Sequence, residues 1–203
     1  MLIGISGGIG SGKSVVSRVL RLKGYPVYDC DSEARRIMAE NCEIKRRICD
    51  EISREVTDGI RTPDRKRLAE IVFNDENARL RLNDIVHEAV RNDLLGKVES
   101  YPIVWVEAAI LAESGIAGMC DRIWRVETPM DDRIENIIRR DDCSRQQAEA
   151  RIRAQQKEDR LISQYEEKMD ILRNDMSDSI LRQVSDLISS PELKKKSYLQ
   201  KDS

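Results

Sequence analysis

Eight residues near the amino terminus have the types and spacing of a phosphate-binding loop. They fit the pattern G-x-x-x-x-G-K-[ST] and read Gly7-Gly8-Ile9-Gly10-Ser11-Gly12-Lys13-Ser14. Glycines permit backbone conformations that other residues avoid, so successive amide N–H groups can turn toward one anion. Lys13 is then placed to reach the outer phosphates, and the Ser14 hydroxyl to ligate Mg²⁺. The motif predicts a phosphate-bearing ligand held by Gly8–Val15, without specifying which one.

The alternative for this loop is a glycine-rich turn that binds nothing. The apolar run Leu2–Ile5 precedes the loop, and a helical pattern follows it. A strand before and a helix after are the context that the motif requires, because the helix N-terminus adds its own amides and dipole to the anion site. This context favours phosphate binding.

Asp31 is the residue best placed in the sequence to take a proton from an acceptor. It follows the predicted second strand, 26–28, and ligands of open parallel sheets bind beyond the carboxyl ends of strands. Phosphoryl transfer needs such a group together with fixed positive charge. Asp31 also stands where a helix N-cap belongs, so its spacing leaves a capping role and a catalytic role both open. Asp29 is the weaker candidate.

Arg140 is the candidate for neutralising phosphate charge outside the loop. It follows Arg139 at the end of a predicted helix, a place where basic residues also occur for purely structural reasons. The next helix, 145–156, is polar and rich in arginine, so we expect little of it to be buried and interpret it as a mobile lid. Arginine suits a lid because its planar fork binds phosphate oxygens in pairs.

Three other side chains have two interpretations each. His87 is the only histidine, on a helix with an apolar side, where a structural role is commoner than a substrate contact. Glu107 and Glu113 follow the predicted third strand, and they either approach Mg²⁺ through water or are surface acids. The sequence alone leaves these alternatives open.

The elements that position these residues alternate between strands and helices, which predicts a parallel sheet covered by helices on both faces. Strands are predicted at 2–5, 26–28, 103–106, 122–126 and 171–172. About 70 residues separate the second strand from the third, far more than the dozen or so that a crossover needs. We predict three helices in this insert, at 32–55, from Thr62-Pro63-Asp64 to Phe73, and at 75–98. Gly59 ends the first, and Thr62 is the predicted N-cap of the second, with Pro63 at its first helical position. An insert beside a nucleotide site is a natural place for a second substrate.

Composition excludes several classes of protein. The 203 residues hold 35 Lys and Arg against 37 Asp and Glu, and a net charge of −2 argues against a general nucleic-acid binder. Five scattered cysteines without a C-x-x-C pair predict reduced thiols rather than disulfides or a zinc site. We find no signal peptide and no apolar run long enough to span a bilayer, so we expect a cytoplasmic protein without membrane contact.

From Met1 to about Leu187 the chain resembles the dephospho-coenzyme A kinase family. The stretch Ile5–Ser14 is similar to the family's opening T-G-G-I-G-S-G-K-S, and Val27–Asp31 is similar to its V-x-D-A-D. Asp64–Phe73 resembles the start of its substrate-binding helices, Ile85–His87 its I-x-H-P, and Arg140–Ser144 its lid motif R-D-x-x-[ST].

The resemblance implies a P-loop kinase fold with three α/β/α layers, a parallel five-stranded sheet, a helical insert and a helical lid. It divides the chain into a nucleotide-binding core (1–31, 101–128 and 157–188), a substrate domain (32–100), a lid (129–156) and a tail predicted to fray (189–203). It implies transfer from ATP with Mg²⁺ to the ribose 3′-hydroxyl of dephospho-coenzyme A. Lys13, Asp31 and Arg140 carry the implied catalysis, and Arg65 and His87 the implied substrate contacts; we expect a monomer or weak homo-oligomer.

Four positions depart from the family pattern. Val15 replaces a threonine, Glu88 and Ala109 replace prolines, and Asn136 replaces a lid arginine, with Arg139 a candidate substitute. The first three are expected to change only local backbone stiffness. Two other functions therefore stay open at this stage: another small-molecule nucleoside or nucleotide kinase, and a non-catalytic nucleotide-binding protein. A nucleotide switch is a weaker alternative, because no N-K-x-D guanine motif is present.

Overall fold

The computed structural model describes residues 1–53, 63–175 and 177–197, with the side chains of 195–197 excepted. The chain forms two compact units, one made of residues 1–29 and 97–203 and the other of residues 30–96. The sequence placed the corresponding boundaries at 31/32 and 100/101. Residues 129–156, predicted as a lid, lie within the first unit.

The first unit is built on a five-stranded parallel sheet in the order β2-β3-β1-β4-β5. The strands are β1 (Leu2–Gly7), β2 (Val27–Asp29), β3 (Val104–Glu107), β4 (Arg122–Glu127) and β5 (Met169–Arg173). All of β1 is buried because it lies at the centre of the sheet with helices on both faces, and its side chains are therefore nearly all apolar. The predicted fold class is confirmed.

Helices of the first unit cover the two faces of this sheet. They are α1 (Lys13–Leu22), α6 (Ile116–Met119), α7 (Met130–Asp141), α8 (Arg145–Ala154), α9 (Gln156–Ile162), α10 (Ile180–Ile188) and α11 (Pro191–Ser197), with a 3-10 helix at Ser163–Lys168. Helix α8 buries only Ala148 and Ile152, which pack with Ile134 and Ile137 of α7. The polar α8 is thus mostly exposed, as expected, but a narrow apolar side attaches it to α7.

The main core lies between the sheet and helices α1 and α10. Trp105 of β3 and Trp124 of β4 are fully buried there, with their ring centroids 5.8 Å apart in an edge-to-face arrangement. The Tyr25 ring packs against Trp105 in a tilted arrangement, with ring centroids 4.7 Å apart. These aromatic rings fix the central strands, and β1 ends in the predicted phosphate-binding loop.

The carboxyl-terminal segment differs from the prediction. The sequence predicted a frayed tail over 189–203, but residues Pro191–Ser197 form α11 and Leu193 is buried in the main core. The helix begins at a proline, which suits the first helical position, and Leu193 gives it an apolar anchor. Residues 198–203 of the predicted tail lie outside the described residues.

The second unit is helical. Its helices are α2 (Cys30–Glu40), α3 (Cys42–Glu51), α4 (Arg65–Asn74) and α5 (Glu76–Ser100), the last of which runs on into the first unit. The single helix predicted over 32–55 is wrong, because Asn41 breaks it and caps α3 by accepting from the Glu43 and Ile44 amides. Asp64, rather than the predicted Thr62, caps α4; Thr62 and Gly59 lie outside the described residues.

Candidate active site

The loop between β1 and α1 has the backbone geometry of an anion site. Gly12 precedes α1 with a left-handed φ of 95°, and Gly10 has a φ of 80°. Only glycine adopts these angles without strain, which explains both residue types. The N-terminus of α1 follows directly and directs its first amides and the positive end of its dipole toward the loop.

Lys13 lies on the loop that it is predicted to serve. Its Nζ donates to the Gly7 carbonyl at 2.7 Å and to the Gly8 carbonyl at 3.3 Å. The ammonium is thus held beside the loop backbone by two carbonyl groups. A phosphate entering the loop would meet a cation that is already in place and would compete with these carbonyls for it.

Side chains from distant parts of the chain hold the loop from outside. The Ser11 carbonyl accepts from Thr128 Oγ1 at 2.8 Å and from Asn174 Nδ2 at 3.0 Å. Thr128 directly follows β4 and Asn174 directly follows β5. The sequence analysis missed both, although polar residues just beyond predicted strands signal the edge of the sheet where ligands bind.

Gln155 is a further contact that sequence reasoning missed. Its Oε1 accepts from the Ile9 amide at 2.6 Å, and its Nε2 donates to the Ala109 carbonyl at 2.8 Å. Gln155 therefore ties the phosphate-binding loop to the segment that follows β3. It stands between α8 and α9, so only the tertiary fold brings it to the loop.

The acidic candidates near the loop divide into two groups. Asp29 and Glu107 face each other in register at the ends of β2 and β3, and Glu107 also pairs with Ile5 of β1. Glu113 instead pairs with Lys157 at 2.7 Å, and its amide is held by Glu158. Burial raises the pKa of Glu158, which accepts from the Ala112 and Glu113 amides.

Metal binding would rest on the loop serine and on ligands from the nucleotide. The Ser14 side chain is exposed on the first turn of α1, next to the exposed Val15. Within the described ranges, no group of three or more His, Cys, Asp and Glu side chains is gathered for a metal. This donor set fits Mg²⁺, which retains water and phosphate oxygens and needs few protein ligands.

Arg140 lies at the carboxyl end of α7 and is exposed. Its Nε and Nη2 bond both oxygens of Asp141, at 2.8 and 2.9 Å, and Asp141 also pairs with Arg151. The hydrogen bond from Arg140 is the main reason that the pKa of Asp141 is lowered. In this conformation Arg140 therefore binds Asp141, and the structure does not bring it to the loop.

Asp31 belongs to the second unit, where it is the second residue of α2 and exposed. The capping alternative placed it before the helix, but α2 begins one residue earlier, at Cys30. A carboxylate in the first turn still interacts favourably with the helix dipole.

The second unit also contains an apolar groove of about 470 Å³ between its helices. Among the residues that the structure describes, the charged ones in its lining are all basic, and they include Arg65, the predicted substrate contact. The groove is lined by Arg35, Met38, Ala39, Lys45, Ile48, Pro63, Arg65, Leu68, Ala69, Val72 and Leu82. His87 is half-buried on α5 and is not part of this lining.

No disulfide bond joins the five cysteines, as the sequence predicted. Burial raises the pKa of Cys120 to about 12, so this thiol is inert at neutral pH. No helix within the described residues has the length and apolar character needed to cross a membrane.

Comparison with known proteins gives one consistent result. The family model for dephospho-CoA kinase matches residues 1–179. A dephospho-CoA kinase from Bacteroides fragilis is 35% identical over 190 residues, which cover 92% of this chain and 91% of the relative.

Two crystal structures are also similar over nearly the whole length. TT1252 from Thermus thermophilus has a TM-score of 0.73 and 33% identity, covering 93% of this chain and 95% of that one. Dephospho-CoA kinase from Campylobacter jejuni has a TM-score of 0.65 and 25% identity, covering 96% and 98%. With the loop geometry described above, these matches establish that the chain belongs to the dephospho-CoA kinase family, the P-loop kinases of coenzyme A biosynthesis.

Proposed function

We propose that this chain carries out the dephospho-CoA kinase reaction by moving the γ-phosphoryl group of ATP to the ribose 3′-hydroxyl of dephospho-CoA. The observation that carries the proposal is the loop at 7–14, with left-handed glycines and the Lys13 ammonium already beside it. The family match over residues 1–179 supports the choice of reaction, because it extends through both units.

ATP is held by the loop and by Lys13 in this proposal. Backbone amides within the segment Gly8–Val15 bind the phosphates in this proposal, and the N-terminus of α1 adds its dipole. Ser14 would hold Mg²⁺, which when bound supplies neutralisation of the phosphate charge. The family implies the use of ATP, and Mg²⁺ is proposed because a serine hydroxyl and phosphate oxygens suit it.

The transfer itself needs one proton acceptor. The 3′-oxygen of the acceptor forms the new bond to the γ-phosphorus, the bond between that phosphorus and the bridging oxygen breaks, and ADP leaves. Asp31 takes the hydroxyl proton. Arg140 leaves Asp141 and binds the phosphoryl oxygens with its planar guanidinium.

The groove of the second unit is proposed to bind the rest of the acceptor. Dephospho-CoA joins a long, weakly polar pantetheine arm to a pyrophosphate, and the groove joins an apolar floor to the basic residues Arg35, Lys45 and Arg65. Arg65 is thus proposed to bind the pyrophosphate. His87 is proposed as a separate acceptor contact, outside the groove.

An acceptor panel tests the proposal. The purified chain is incubated with ATP and Mg²⁺ and with dephospho-CoA, adenosine or a nucleoside monophosphate, and the products are identified by mass spectrometry. We expect coenzyme A from dephospho-CoA alone. We also expect Lys13→Ala to lower turnover by roughly 10² or more, the range for removing one group that stabilises transition-state charge.

Two outcomes would overturn this assignment. Phosphorylation of a nucleoside without activity on dephospho-CoA would show a different small-molecule kinase. Tight ATP binding with no transfer in a single-turnover experiment would show a non-catalytic binding protein. The proposal also includes a cytoplasmic location, supported by five cysteines that form no disulfide bond, and a monomer or weak homo-oligomer.

A further inference from the structure

Helix α7 contacts the back of the phosphate-binding loop through two side chains one turn apart. Arg133 Nε donates to the Ile9 carbonyl at 3.0 Å, and Asn136 Nδ2 donates to the Gly10 carbonyl at 2.9 Å. Thr128 and Asn174 hold the next carbonyl, that of Ser11. Three consecutive carbonyl groups of the loop therefore each have a side-chain donor outside it.

The direction of these carbonyls decides the direction of the amides. In a trans peptide the C=O and the following N–H lie in one rigid plane and point in opposite directions. A donor that holds the Ile9 carbonyl toward α7 therefore turns the Gly10 amide away from α7. In the same way, holding the Ser11 carbonyl orients the Gly12 amide. These are amides of the motif that binds phosphate.

Arg133 meets the loop at closer range than a surface arginine would. A Cβ on Gly8 would clash with its guanidinium, and a Cβ on Gly10 would come within 2.5 Å of its backbone carbonyl. Its Nη2 is buried and, within the described part of the chain, has no hydrogen-bond partner. Loss of hydration on burial lowers the pKa of this guanidinium. Burying a guanidinium nitrogen without a hydrogen-bond partner costs free energy, so we expect Arg133 to have a role that offsets this cost.

Arg133 has two candidate roles, binding a phosphate directly or holding the loop backbone, and the burial of Nη2 distinguishes between them. A phosphate cannot reach a buried nitrogen in this conformation, whereas Nε already bonds the loop. Asn136, which stands where the family pattern has an arginine, likewise bonds the loop backbone. Arg139, the substitute considered from the sequence, is exposed at the other end of α7.

We infer that Arg133 and Asn136 are positioning residues that keep the phosphate-binding loop in its ATP-ready form by holding the Ile9 and Gly10 carbonyls outward. They act through the loop backbone, to which both donate hydrogen bonds. The inference rests on the proposed function, since it takes ATP as the ligand. It predicts that their hydrogen-bond donors, and not the charge of Arg133, determine ATP affinity.

Paired substitutions test this claim by isothermal titration with ATP and Mg²⁺. Glutamine carries an N–H at the same number of bonds from Cα as Arg133 Nε, and methionine has the same length without a donor. We expect Arg133→Met to weaken ATP binding roughly tenfold, which is the loss of about one hydrogen bond, and Arg133→Gln to stay within about threefold of wild type.

Asn136→Asp is a nearly isosteric second test. It replaces the donor that faces the Gly10 carbonyl with an acceptor, so we expect it to weaken ATP binding by at least tenfold. In both Arg133→Met and Asn136→Asp, the KM for dephospho-CoA should stay within about twofold of wild type. Glu135→Gln, an exposed change on the same helix, is the matched control and should bind ATP normally.

Equal weakening in Arg133→Met and Arg133→Gln would overturn the inference, because it would show that the charge of Arg133 is what matters. Unchanged ATP affinity in Arg133→Met and Asn136→Asp would also overturn it. The melting temperatures of the unliganded variants identify any that fail to fold. If Arg133→Met fails to fold, the ATP affinity of Arg133→Gln decides: a value within about threefold of wild type supports the inference, and a larger loss overturns it. A wild-type chain that binds ATP but forms no coenzyme A would contradict the proposed function. The inference about Arg133 and Asn136 would still be tested by the ATP affinities of the variants relative to wild type.

Discussion

Two aspartates near the end of β2 differ in what surrounds them. Asp29 is the last residue of the strand and pairs in register with Glu107, whereas Asp31 lies in the first turn of α2 and is exposed. The exposed carboxylate of Asp31 is the more accessible of the two to an acceptor hydroxyl. This difference supports Asp31 as the base and Asp29 as a structural acid.

We expect Asp31→Asn to keep the ATP dissociation constant and to lower kcat by roughly 10² or more, because an amide cannot accept the acceptor's proton. Single-turnover phosphoryl transfer, measured beside ATP titration, checks both quantities. Glu40→Gln is the matched change on the same helix and should leave kcat unaltered. Normal kcat in Asp31→Asn would assign Asp31 to the helix alone.

At the scale of elements, two helices of the second unit are capped by different chemistry. Asn41 caps α3 with a neutral amide, and Asp64 caps α4 with a carboxylate that accepts from the Lys66 and Arg67 amides. These backbone hydrogen bonds lower the pKa of Asp64 below its ordinary value of 3.8. The cap of α4 should therefore depend on pH, and that of α3 should not.

The lowered pKa of Asp64 determines the direction in which stability changes with pH. The folded state favours the charged form of Asp64, so its contribution to stability is fully present above pH 3.8 and is lost as the pH falls through the lowered value. We expect Asp64→Asn, which keeps a cap but cannot titrate, to lose less stability than wild type between pH 6 and pH 2. Urea unfolding at several pH values measures the difference.

Glu70→Gln provides the comparison for this pH series, because it removes an exposed acid from α4 without changing the cap. Its stability should follow wild type at every pH. A constant gap between wild type and Asp64→Asn from pH 6 to pH 2 would show that the Asp64 carboxylate does not contribute in its charged form.

At the scale of the whole molecule, the carboxyl-terminal helix completes the main core. Leu193 is only 6% exposed and joins a cluster that includes Val184 and Trp124. In the sequence this leucine stands beside the lysine run 194–196, which is why a frayed tail was predicted. Only the packed sheet and α10 provide the surface that this leucine covers.

We expect Leu193→Ala to lower the free energy of unfolding by about 2–4 kcal/mol, the range for removing a buried leucine side chain. Denaturant unfolding followed by tryptophan fluorescence reports on this core, since Trp105 and Trp124 lie in it. Leu181→Ala on α10 is the control, because that leucine is 56% exposed and should cost less than about 0.5 kcal/mol. Equal effects in the two variants would mean that α11 is not docked.

Local patterns in the sequence were enough to predict the parallel fold, the phosphate-binding loop and the family. These depend on local information: apolar strands, glycine at left-handed positions, and Lys13 and Ser14 at fixed spacing from them. Near neighbours in the chain create each of these signals. A single sequence was therefore enough to predict them.

The side chains that surround the loop could be identified only in the folded structure. Thr128, Arg133, Asn136, Gln155 and Asn174 are more than a hundred residues from it and carry no motif. Their contacts exist because parallel strands bring their carboxyl ends to one edge and because α7 packs across that edge. In the sequence, Asn136 stands where the family pattern has a lid arginine, which suggests that a contact is missing. In the fold, Asn136 donates a hydrogen bond to the Gly10 carbonyl. The packing of α7 against the loop determines this partner, and the spacing of residues in the sequence does not show it.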